Sequence, residues 1–360
     1  MKKILMATGG TGGHIYPALV TAQELKGRGW DVLFMGKFGA AGEKIKDAGF
    51  TFVDIQARGI VSKGPLQALI ALGYLIKNFF VGAAIVMRYR PQVVLGFGGY
   101  SSFSSVAAGA VLGKRTMIHE QNAIPGFANK VLSKFVRRIA VTFKDAQRCF
   151  PKGKTVWTGC PLRPLSCSRR RGEILESFGF KEGQKTILVF GGSQGAKAIN
   201  EAFLNALSGL SKGASWQVIH LTGHSSFDGV KARYSMLPVT AFIRAYSDNM
   251  AEAYSVADVV IGRSGAGTVT EVGLLGIPAV LIPYPYAKNH QIANARVLER
   301  YKTGVIIEEK DLNGDILRDK IFLLLQGKSS REENREKLKD DFASDAVIRL
   351  ADEVDRLENG

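Results

Sequence analysis

The sequence predicts an α/β protein with two domains, each built around a parallel β-sheet. Strand-like apolar runs alternate with helical patterns along the whole chain, as in parallel sheets covered by helices. The length of 360 residues exceeds the usual size of one domain. In each half, the first strand runs into a glycine-rich turn and a helix. The predicted strands are residues 3–7, 32–35, 93–95, 115–119 and 139–141 in the first half, and residues 186–190, 217–221, 259–261, 279–282 and 304–307 in the second.

A linker separates the two halves near Arg163. It contains Pro161 and Pro164, and a basic, polar run without apolar periodicity follows over residues 166–172. We therefore predict a first domain over residues 1–163 and a second over residues 164–342. The C-terminal segment, residues 343–360, carries apolar side chains at helical spacing, so it forms an amphipathic helix that must pack on a domain.

The positive charge lies in the first half. The formal net charge of the chain is +16, from 48 Lys and Arg against 32 Asp and Glu. Residues 1–163 hold 23 of the basic and 7 of the acidic side chains, and the rest of the chain holds 25 of each. A basic domain attracts anionic surfaces, such as phospholipid, nucleic acid or diphosphates.

The cysteines and the start of the chain predict a cytoplasmic protein. Cys149, Cys160 and Cys167 are odd in number and lack a metal-binding spacing, which is typical of free thiols in a reducing compartment. The apolar start ends at residues 8–10, too early for the apolar core of a signal peptide.

Residues 66–87 form an unusually apolar segment. Lys77 and Asn78 interrupt its middle, where a lysine is costly in lipid, so we do not expect it to span a membrane. Arg88 and Arg90 follow it. Two interpretations remain open: a core helix, or an apolar surface that rests on a membrane.

Four glycine-rich turns follow predicted strands, at residues 9–14, 96–101, 191–196 and 262–268. A glycine turn that enters a helix presents backbone N–H groups and the positive end of the helix dipole to an anion. One such turn alone is more often a tight connection. Four at the carboxyl ends of parallel strands, two in each half, predict a phosphate-containing ligand bound in a cleft between domains.

Several common chemistries find no support. None of the turns combines G-x-G-x-x-G spacing with an acidic residue at the end of a second strand, so hydride-transfer enzymes are disfavoured. No zinc-binding spacing, Walker loop or G-x-S-x-G elbow occurs.

Six segments together resemble the MurG family of glycosyltransferases, and the resemblance runs from residue 1 to about residue 295. The segments are residues 8–17, 98–100, 119–126, 191–196, 263–271 and 289–295. The resemblance implies a GT-B fold, in which two Rossmann-like domains face each other across a cleft. It also implies that the last helix, within residues 343–360, crosses back to the first domain.

The same resemblance implies an activity and its partners. The family transfers N-acetylglucosamine from UDP-GlcNAc, with inversion, to the 4-hydroxyl of undecaprenyl-pyrophosphoryl-N-acetylmuramoyl-pentapeptide (lipid I), which gives lipid II for peptidoglycan. The first domain would bind the acceptor and face the membrane, and the second would bind UDP-GlcNAc. No metal or other cofactor is expected, and no nucleic acid. We expect a peripheral protein on the anionic cytoplasmic face of the bacterial inner membrane.

His14 and Glu120 are the candidate bases. Direct inversion requires the acceptor oxygen to lose a proton while UDP leaves with additional negative charge. His14 lies in the first glycine turn, and a neutral histidine is a suitable base near pH 7. Its alternative is a structural histidine that bonds the turn. Glu120, at the end of a strand, is the second candidate, with a structural role as its alternative.

The second half carries the residues expected to hold the leaving diphosphate and the ribose. On the resemblance, Ser193 contacts the α-phosphate, and Thr268, which opens the helix after the fourth turn, can act in the same way. Fixed dipoles would then replace a metal ion. Glu271 resembles the residue that accepts both ribose hydroxyls. Alternatively, its carboxylate only favours the helix dipole.

Further donor contacts rest on the resemblance alone. Asn122 contacts donor or acceptor, Arg163 lies on the nucleoside side, and Gln291 reads the sugar hydroxyls. The complete set assigned to UDP-GlcNAc is Thr11, Gly12, Gly13, Asn122, Arg163, Ser193, Ser247, Ala266, Gly267, Thr268, Val269, Thr270, Glu271 and Gln291.

The chain departs from the family pattern at two places. In the uracil-contact loop, residues 242–250, both Ser247 and Ile243 are possible matches, and the spacing to Met250 favours Ser247. Gly267 stands where a larger residue is common, so packing near the sugar differs.

Three other functions are weighed against this one. A diacylglycerol glycosyltransferase would share the UDP site and differ in acceptor, but residues 119–122 favour the MurG family. A UDP-sugar epimerase of the same fold would have no use for a basic, apolar first half. A non-catalytic lipid-binding or nucleic-acid-binding protein lacks a basic motif interleaved with aromatic residues.

Overall fold

The chain divides into two compact units in a computed structural model. The model describes residues 1–9, 12–39, 41–56, 65–192, 195–208, 216–237, 239–286, 289–327 and 329–359, with the backbone only at 65–69. Unit 1 comprises Met1–Arg163 and Asp341–Gly360, and unit 2 comprises Pro164–Asp340. The division falls at the predicted linker, and the C-terminal segment groups with unit 1 from residue 341 rather than 343.

The strands and helices alternate along the chain. The strands are β1 (Lys2–Gly9), β2 (Trp30–Lys37), β3 (Thr51–Asp54), β4 (Val93–Gly96), β5 (Arg115–Glu120), β6 (Arg138–Val141), β7 (Thr155–Trp157), β8 (Lys185–Phe190), β9 (Trp216–Leu221), β10 (Thr240–Arg244), β11 (Val259–Gly262), β12 (Ala279–Leu281) and β13 (Gly304–Ile306). The helices are α1 (Gly12–Gly27), α2 (Ala41–Asp47), α3 (Pro65–Tyr89), α4 (Tyr100–Val111), α5 (Phe127–Leu132), α6 (Arg171–Ser177), α7 (Lys197–Ser208), α8 (Phe227–Tyr234), α9 (Met250–Val256), α10 (Ala266–Leu275), α11 (His290–Arg300), α12 (Gly314–Leu325), α13 (Arg331–Leu338) and α14 (Ala346–Asn359).

Each unit is built on one parallel sheet, as the alternation predicts. Among the described residues of unit 1, seven strands pair in the order β3-β2-β1-β4-β5-β6-β7. In the described part of unit 2, six strands pair in the order β10-β9-β8-β11-β12-β13. In unit 1, Ile4 of β1 is in register with Val32 of β2 and Val93 of β4. Because apolar side chains cover both faces of such a sheet, its inner strands are continuous apolar runs.

All ten predicted strands are present, and three further strands were not predicted. The additional strands, β3, β7 and β10, lie at sheet edges. Their residues are only partly buried or exposed, so they lack the continuous apolar run that marks an inner strand.

Helix α14 packs on unit 1, the domain to which the resemblance assigned it. Leu350, Ala351 and Val354 on its apolar face are buried in the same core cluster as Ile4 of β1. On its polar face, Arg28 bonds Asp352 at 2.7 Å and Asp355 at 2.9 Å. A strongly amphipathic helix needs such a partner, and the core of unit 1 supplies it.

The apolar segment at 66–87 lies in α3, which packs against α4. Gly82 allows α3 close to α4, where an added Cβ would lie 3.3 Å from the Cα of Ser105. Asn78 is buried and donates from Nδ2 to the Gln56 carbonyl at 2.8 Å, while Lys77 is exposed. Within the described residues, the part of α3 over Ile70–Tyr89 is the one helix long and apolar enough to cross a membrane, and 22% of it is buried.

Candidate functional site

In unit 1, the predicted site residues lie after β1 and at the end of β5, and the glycine turn after β4 lies between them, since β4 is the strand between β1 and β5. Gly9 ends β1 with φ of 139°, and a Cβ there would lie 2.5 Å from the Lys37 carbonyl oxygen, so the turn requires glycine. Helix α1 begins at Gly12, next to Gly13, and His14 lies in its first turn. Thr8 Oγ1 donates to the His14 carbonyl at 2.9 Å and anchors this turn. Thr11 lies outside the described residues.

The imidazole of His14 is partly exposed and packs against the turn after β4. An added Cβ at Gly98, where φ is 83°, would lie 3.4 Å from His14 Cε1. His14 Nδ1 is 3.2 Å from Oε1 of Gln121. Burial lowers the pKa of His14 below 6.5, while the Glu120 carboxylate, the Gln121 amide and the Phe97 carbonyl act in the opposite direction. The ring is therefore neutral at pH 7, as a general base must be.

Glu120 is almost fully buried, and its carboxylate closes the loop that follows β5. Oε1 accepts the backbone N–H of Asn122 at 2.8 Å and its side-chain amide at 3.2 Å. Oε2 accepts the N–H of Gly126 at 3.1 Å and Nδ2 of Asn129 at 2.8 Å. A carboxylate whose two oxygens accept four N–H donors is held in a fixed position. The geometry thus favours the structural alternative for Glu120 and leaves His14 as the leading candidate base.

Two buried side chains beside this loop had no role predicted for them. His119 Nε2 is 3.0 Å from the Gly159 carbonyl oxygen, and burial lowers the pKa of His119 to about 4. Gln121 Nε2 donates to the Phe97 carbonyl at 2.9 Å. Both residues belong to the 119–126 segment, which the sequence singled out as a whole.

Arg163 lies over an aromatic ring of its own unit. Its guanidinium is 4.4 Å from the ring centroid of Tyr16 on α1. Lys44 also contacts Tyr16, with Nζ 3.0 Å from the hydroxyl. Tyr16 was not predicted as a site residue, although the sequence places it two residues after His14. The nucleoside role of Arg163 stays a prediction.

In unit 2, the turn after β8 is shaped by glycines. A Cβ at Gly195, where φ is 76°, would lie 2.4 Å from the Thr222 carbonyl oxygen, so the turn packs directly on the end of β9. Helix α7 begins just after it, at Lys197. Ser193, the predicted phosphate contact, lies outside the described residues.

The predicted stretch 266–271 forms the start of α10. Val269 N donates the first helical bond, to the Gly265 carbonyl at 3.0 Å, so the N–H groups of residues 266–268 precede that bond. Among these residues, Gly267 and Thr268 are partly exposed and Ala266 is buried. Val269 is fully buried, and Thr270 Oγ1 donates to the Ala266 carbonyl at 2.8 Å. The side chains of Val269 and Thr270 therefore serve the core and the helix, and the start of α10 is the part arranged to bind an anion.

Glu271 is partly exposed and is oriented by a residue that was not predicted. The hydroxyl of Tyr254, on α9, donates to Glu271 Oε2 at 2.7 Å. Tyr254 is fully buried, and nothing in the local sequence distinguishes it from a core tyrosine.

Gln291 lies in the first turn of α11 and bonds to the segment that follows β12. Its Oε1 accepts the N–H of Tyr284 at 2.9 Å, so the side chain bridges α11 and the segment after β12. Arg263 donates to the carbonyls of Ile282 and Pro283 and pairs with Glu309. These bonds join the segments that follow β11 and β12, close to the start of α10.

The predicted uracil-contact loop, residues 242–250, begins inside β10 and ends at the first residue of α9, so only residues 245–249 lie between the two elements. Ser247 Oγ accepts the N–H of Asn249 at 3.2 Å, and Asn249 in turn caps α9. The alternative match, Ile243, lies within β10 and packs against the core of unit 2. Ser247 is thus the better placed of the two to reach a ligand, although its hydroxyl also supports the turn.

Across the residues that the structure describes, no three His, Cys, Asp or Glu side chains cluster closely enough to hold a metal ion.

Known proteins resemble this chain over both units. The glycosyltransferase family 28 N-terminal domain matches residues 4–141, and the family 28 C-terminal domain matches residues 186–350. A crystal structure of MurG from Acinetobacter baumannii is 28% identical, with a TM-score of 0.77, over 99% of this chain and 100% of that one.

Two bacterial relatives carry the same full name, UDP-N-acetylglucosamine--N-acetylmuramyl-(pentapeptide) pyrophosphoryl-undecaprenol N-acetylglucosamine transferase. The one from Bacillus licheniformis is 37% identical and covers 99% of each chain. The one from Halalkalibacterium halodurans is 38% identical and covers 89% of each chain. The two parallel-sheet units are the Rossmann-like domains of a GT-B fold, and the chain belongs to glycosyltransferase family 28 and, within it, to the MurG family of N-acetylglucosamine transferases.

Proposed function

We propose that this chain transfers N-acetylglucosamine from UDP-GlcNAc to the 4-hydroxyl of the muramic sugar in undecaprenyl-linked lipid I, with inversion, giving lipid II. The observation that carries the proposal is the setting of His14: a neutral imidazole in the first turn of a helix, beside two glycine turns, within a family that performs this transfer.

The reaction requires one base that takes the acceptor proton and one site that stabilises the charge of the leaving diphosphate. The acceptor oxygen attacks C1 of the donor sugar, and its proton passes to the ring of His14. The bond between C1 and the phosphate oxygen breaks, and UDP leaves with its bonding electrons. The first-turn N–H groups of α10, at residues 266–268, then stabilise the growing charge on the diphosphate. In this scheme no metal or other cofactor takes part, and a chelator should leave turnover unchanged.

The ribose role proposed for Glu271 is supported by its fixed orientation. A carboxylate accepts two hydroxyl hydrogens at once only if both oxygens face the sugar together. The 2.7 Å bond from the Tyr254 hydroxyl restricts rotation of this carboxylate before the donor binds. Such preorganisation strengthens binding because less side-chain freedom is lost.

We further propose that unit 1 rests on the anionic cytoplasmic face of the inner membrane, where the lipid acceptor lies. A stripe of apolar side chains along α3 is 45–66% exposed, at Leu72, Ile76, Phe80 and Met87. Exposed lysine and arginine side chains lie on or next to the helix at residues 77, 88 and 90. Apolar insertion and attraction between charges together provide the two signals that stable peripheral binding requires.

A second exposed group in unit 1 has the same character. Phe127 begins α5 and Phe135 lies three residues after its end, and each is 64% exposed. Lys130 and Lys134 lie between them in the sequence and are also exposed. An aromatic and basic surface of this kind suits lipid headgroups.

Release of UDP tests the activity directly. The full chain, mixed with UDP-GlcNAc and a lipid I analogue, should release UDP and form the disaccharide product. Diacylglycerol vesicles in place of the analogue should give no release above the hydrolysis background. Transfer to diacylglycerol but not to the lipid I analogue would favour the rival lipid glycosyltransferase, and loss of turnover with EDTA would contradict the metal-free scheme.

A further inference from the structure

Two buried side chains of unit 1, His119 and Gln121, take no part in the reaction scheme above. They are 0% and 3% exposed, respectively. Together they join the backbone carbonyl of Gly159 to the ring of His14 through three consecutive contacts, of 3.0, 3.3 and 3.2 Å. The direction of each hydrogen bond in this chain follows from the chemistry of its ends.

The first contact determines the tautomer of His119. The Gly159 carbonyl oxygen can only accept, so His119 Nε2, 3.0 Å away, carries the hydrogen. Burial lowers the pKa of His119 to about 4, so the ring is neutral at pH 7 and has a single N–H. His119 Nδ1 is therefore an acceptor.

The second contact determines the orientation of the Gln121 amide. Gln121 Nε2 lies 2.9 Å from the Phe97 carbonyl oxygen and 3.3 Å from His119 Nδ1, and both are acceptors. A flipped amide would bring two oxygens within 2.9 Å of each other with no hydrogen between them. Both N–H groups of Gln121 are thus used, and Oε1 faces His14.

The third contact transfers this orientation to His14. An amide oxygen only accepts, so His14 Nδ1, 3.2 Å from it, carries the hydrogen. His14 Nε2 is then the nitrogen with the lone pair. We propose that Gln121, supported by His119 and the Gly159 carbonyl, is a positioning residue that holds His14 in the Nδ1–H tautomer, so that Nε2 is the base.

This inference rests on the base role proposed for His14, and it adds a requirement. A neutral histidine is a base only at the nitrogen that lacks hydrogen, and the wrong tautomer presents an N–H to the acceptor instead. We call the contacts that run from the Gly159 carbonyl through His119 and Gln121 to His14 the relay. Its effect on the tautomer of His14 can be measured in the protein without any substrate.

Nitrogen-15 NMR of ring-labelled protein reads the tautomer directly. The chain has five histidines, and the His14 signals are assigned by their loss in His14→Ala. At pH 7.5 the wild-type protein should show His14 protonated at Nδ1 and bare at Nε2, with the opposite arrangement at His119. In Gln121→Met, which can neither donate nor accept strongly, His14 should shift toward a mixture of tautomers. A wild-type His14 protonated at Nε2, or an unchanged tautomer in Gln121→Met, would overturn the relay.

Turnover connects the tautomer to catalysis. In Gln121→Met, kcat should fall about 10- to 100-fold, with little change in the KM for UDP-GlcNAc. This is less than the ~10²–10⁴-fold contribution of a general base, because part of the His14 population still presents a bare Nε2.

A matched glutamine variant controls for nonspecific effects. Gln92 Oε1 accepts the N–H of Lys3 at 2.6 Å, and Gln92 is exposed, so Gln92→Met removes one hydrogen bond without touching the relay. It should retain both the His14 tautomer and kcat. A shifted tautomer in Gln121→Met with wild-type kcat would show that His14 is not the base, whereas an unshifted tautomer would reject the relay alone.

Discussion

The Tyr254 hydroxyl donates a 2.7 Å hydrogen bond to Oε2 of Glu271, joining the buried face of α9 to the start of α10. Tyr254 is fully buried, whereas Glu271 is partly exposed. A buried donor thus orients a carboxylate that remains accessible to a ligand, as a donor-sugar site requires.

Substitutions at this pair should weaken donor binding in a graded way. Glu271→Ala should weaken UDP-GlcNAc binding by about 1–3 kcal/mol, because the ribose hydroxyls lose their acceptor. Tyr254→Phe should weaken it by about 0.5–1.5 kcal/mol, because the carboxylate remains but loses its fixed orientation. Isothermal titration calorimetry measures both.

Tyr234 provides the control for the pair. It is also a buried tyrosine of unit 2, and its hydroxyl lies 2.9 Å from Nδ1 of His220. Tyr234→Phe should reduce stability without changing donor affinity. Unchanged affinity in Glu271→Ala would remove Glu271 from the ribose role.

His14→Ala should lower turnover far more than donor affinity. A general base contributes ~10²–10⁴-fold in rate and acts on the acceptor hydroxyl in the transition state. Steady-state kinetics with calorimetry separates the two effects. Wild-type turnover in His14→Ala would exclude the base role, and collapse of donor affinity would make His14 a binding residue.

The pH profile of the wild-type enzyme follows from the lowered pKa of His14. The base is active when neutral, that is, above its pKa, and burial places that pKa below 6.5. The midpoint of the acidic limb of kcat/KM for the acceptor should therefore lie below pH 6.5. A midpoint above 6.5 would contradict the proposed setting of His14.

Unit 1 should bind anionic vesicles through α3. Phe80 and Met87 are 66% and 59% exposed, and replacing both by Ser should weaken binding more than about 10-fold, since full burial of one such side chain is worth about 1.5–3 kcal/mol. Binding should fall as salt rises and be weaker on neutral vesicles. Vesicle sedimentation measures these changes.

The control for membrane binding replaces two exposed apolar side chains of unit 2. Met236 and Leu323 are 78% and 57% exposed, so their Ser variants lose similar surface outside unit 1. They should sediment like the wild type, and UDP affinity should be unchanged in all variants. Equal sedimentation with neutral and anionic vesicles at low salt would refute the electrostatic contribution.

Gly159→Ala should destabilise the protein more than Gly153→Ala. Both glycines have positive φ, 80° and 82°, so each substitution by alanine costs about 1–2 kcal/mol in backbone strain. A Cβ at Gly159 would also lie 2.8 Å from Cβ of Ala343, whereas nothing lies within 4 Å at Gly153. That crowding adds about 1–3 kcal/mol. Urea unfolding of the two variants measures the difference, which reports on the packing of the C-terminal segment against Gly159. Equal losses of unfolding free energy in the two variants would contradict that packing.

The central strands, the linker and the amphipathic C-terminal helix follow from local patterns in the chain. Inner strands of a parallel sheet are buried on both faces, so their apolar runs are readable without a structure, and the four glycine turns mark where those strands end. The edge strands β3, β7 and β10 carry no such signal, because partial exposure relaxes the demand for apolar side chains.

The roles of individual polar side chains could not be predicted from local sequence, because they depend on contacts between distant parts of the chain. The 119–126 segment stood out as a motif, but local sequence left Glu120 open between base and structural residue. The contacts that favour the structural role come from Asn129 and Gly126, which fold back to its carboxylate. Gln121 reaches His14 across 107 positions, and Tyr254 reaches Glu271 from another helix. Backbone patterning depends on neighbours a few residues apart, whereas the direction of a hydrogen bond depends on which donor and acceptor the fold brings within hydrogen-bonding distance.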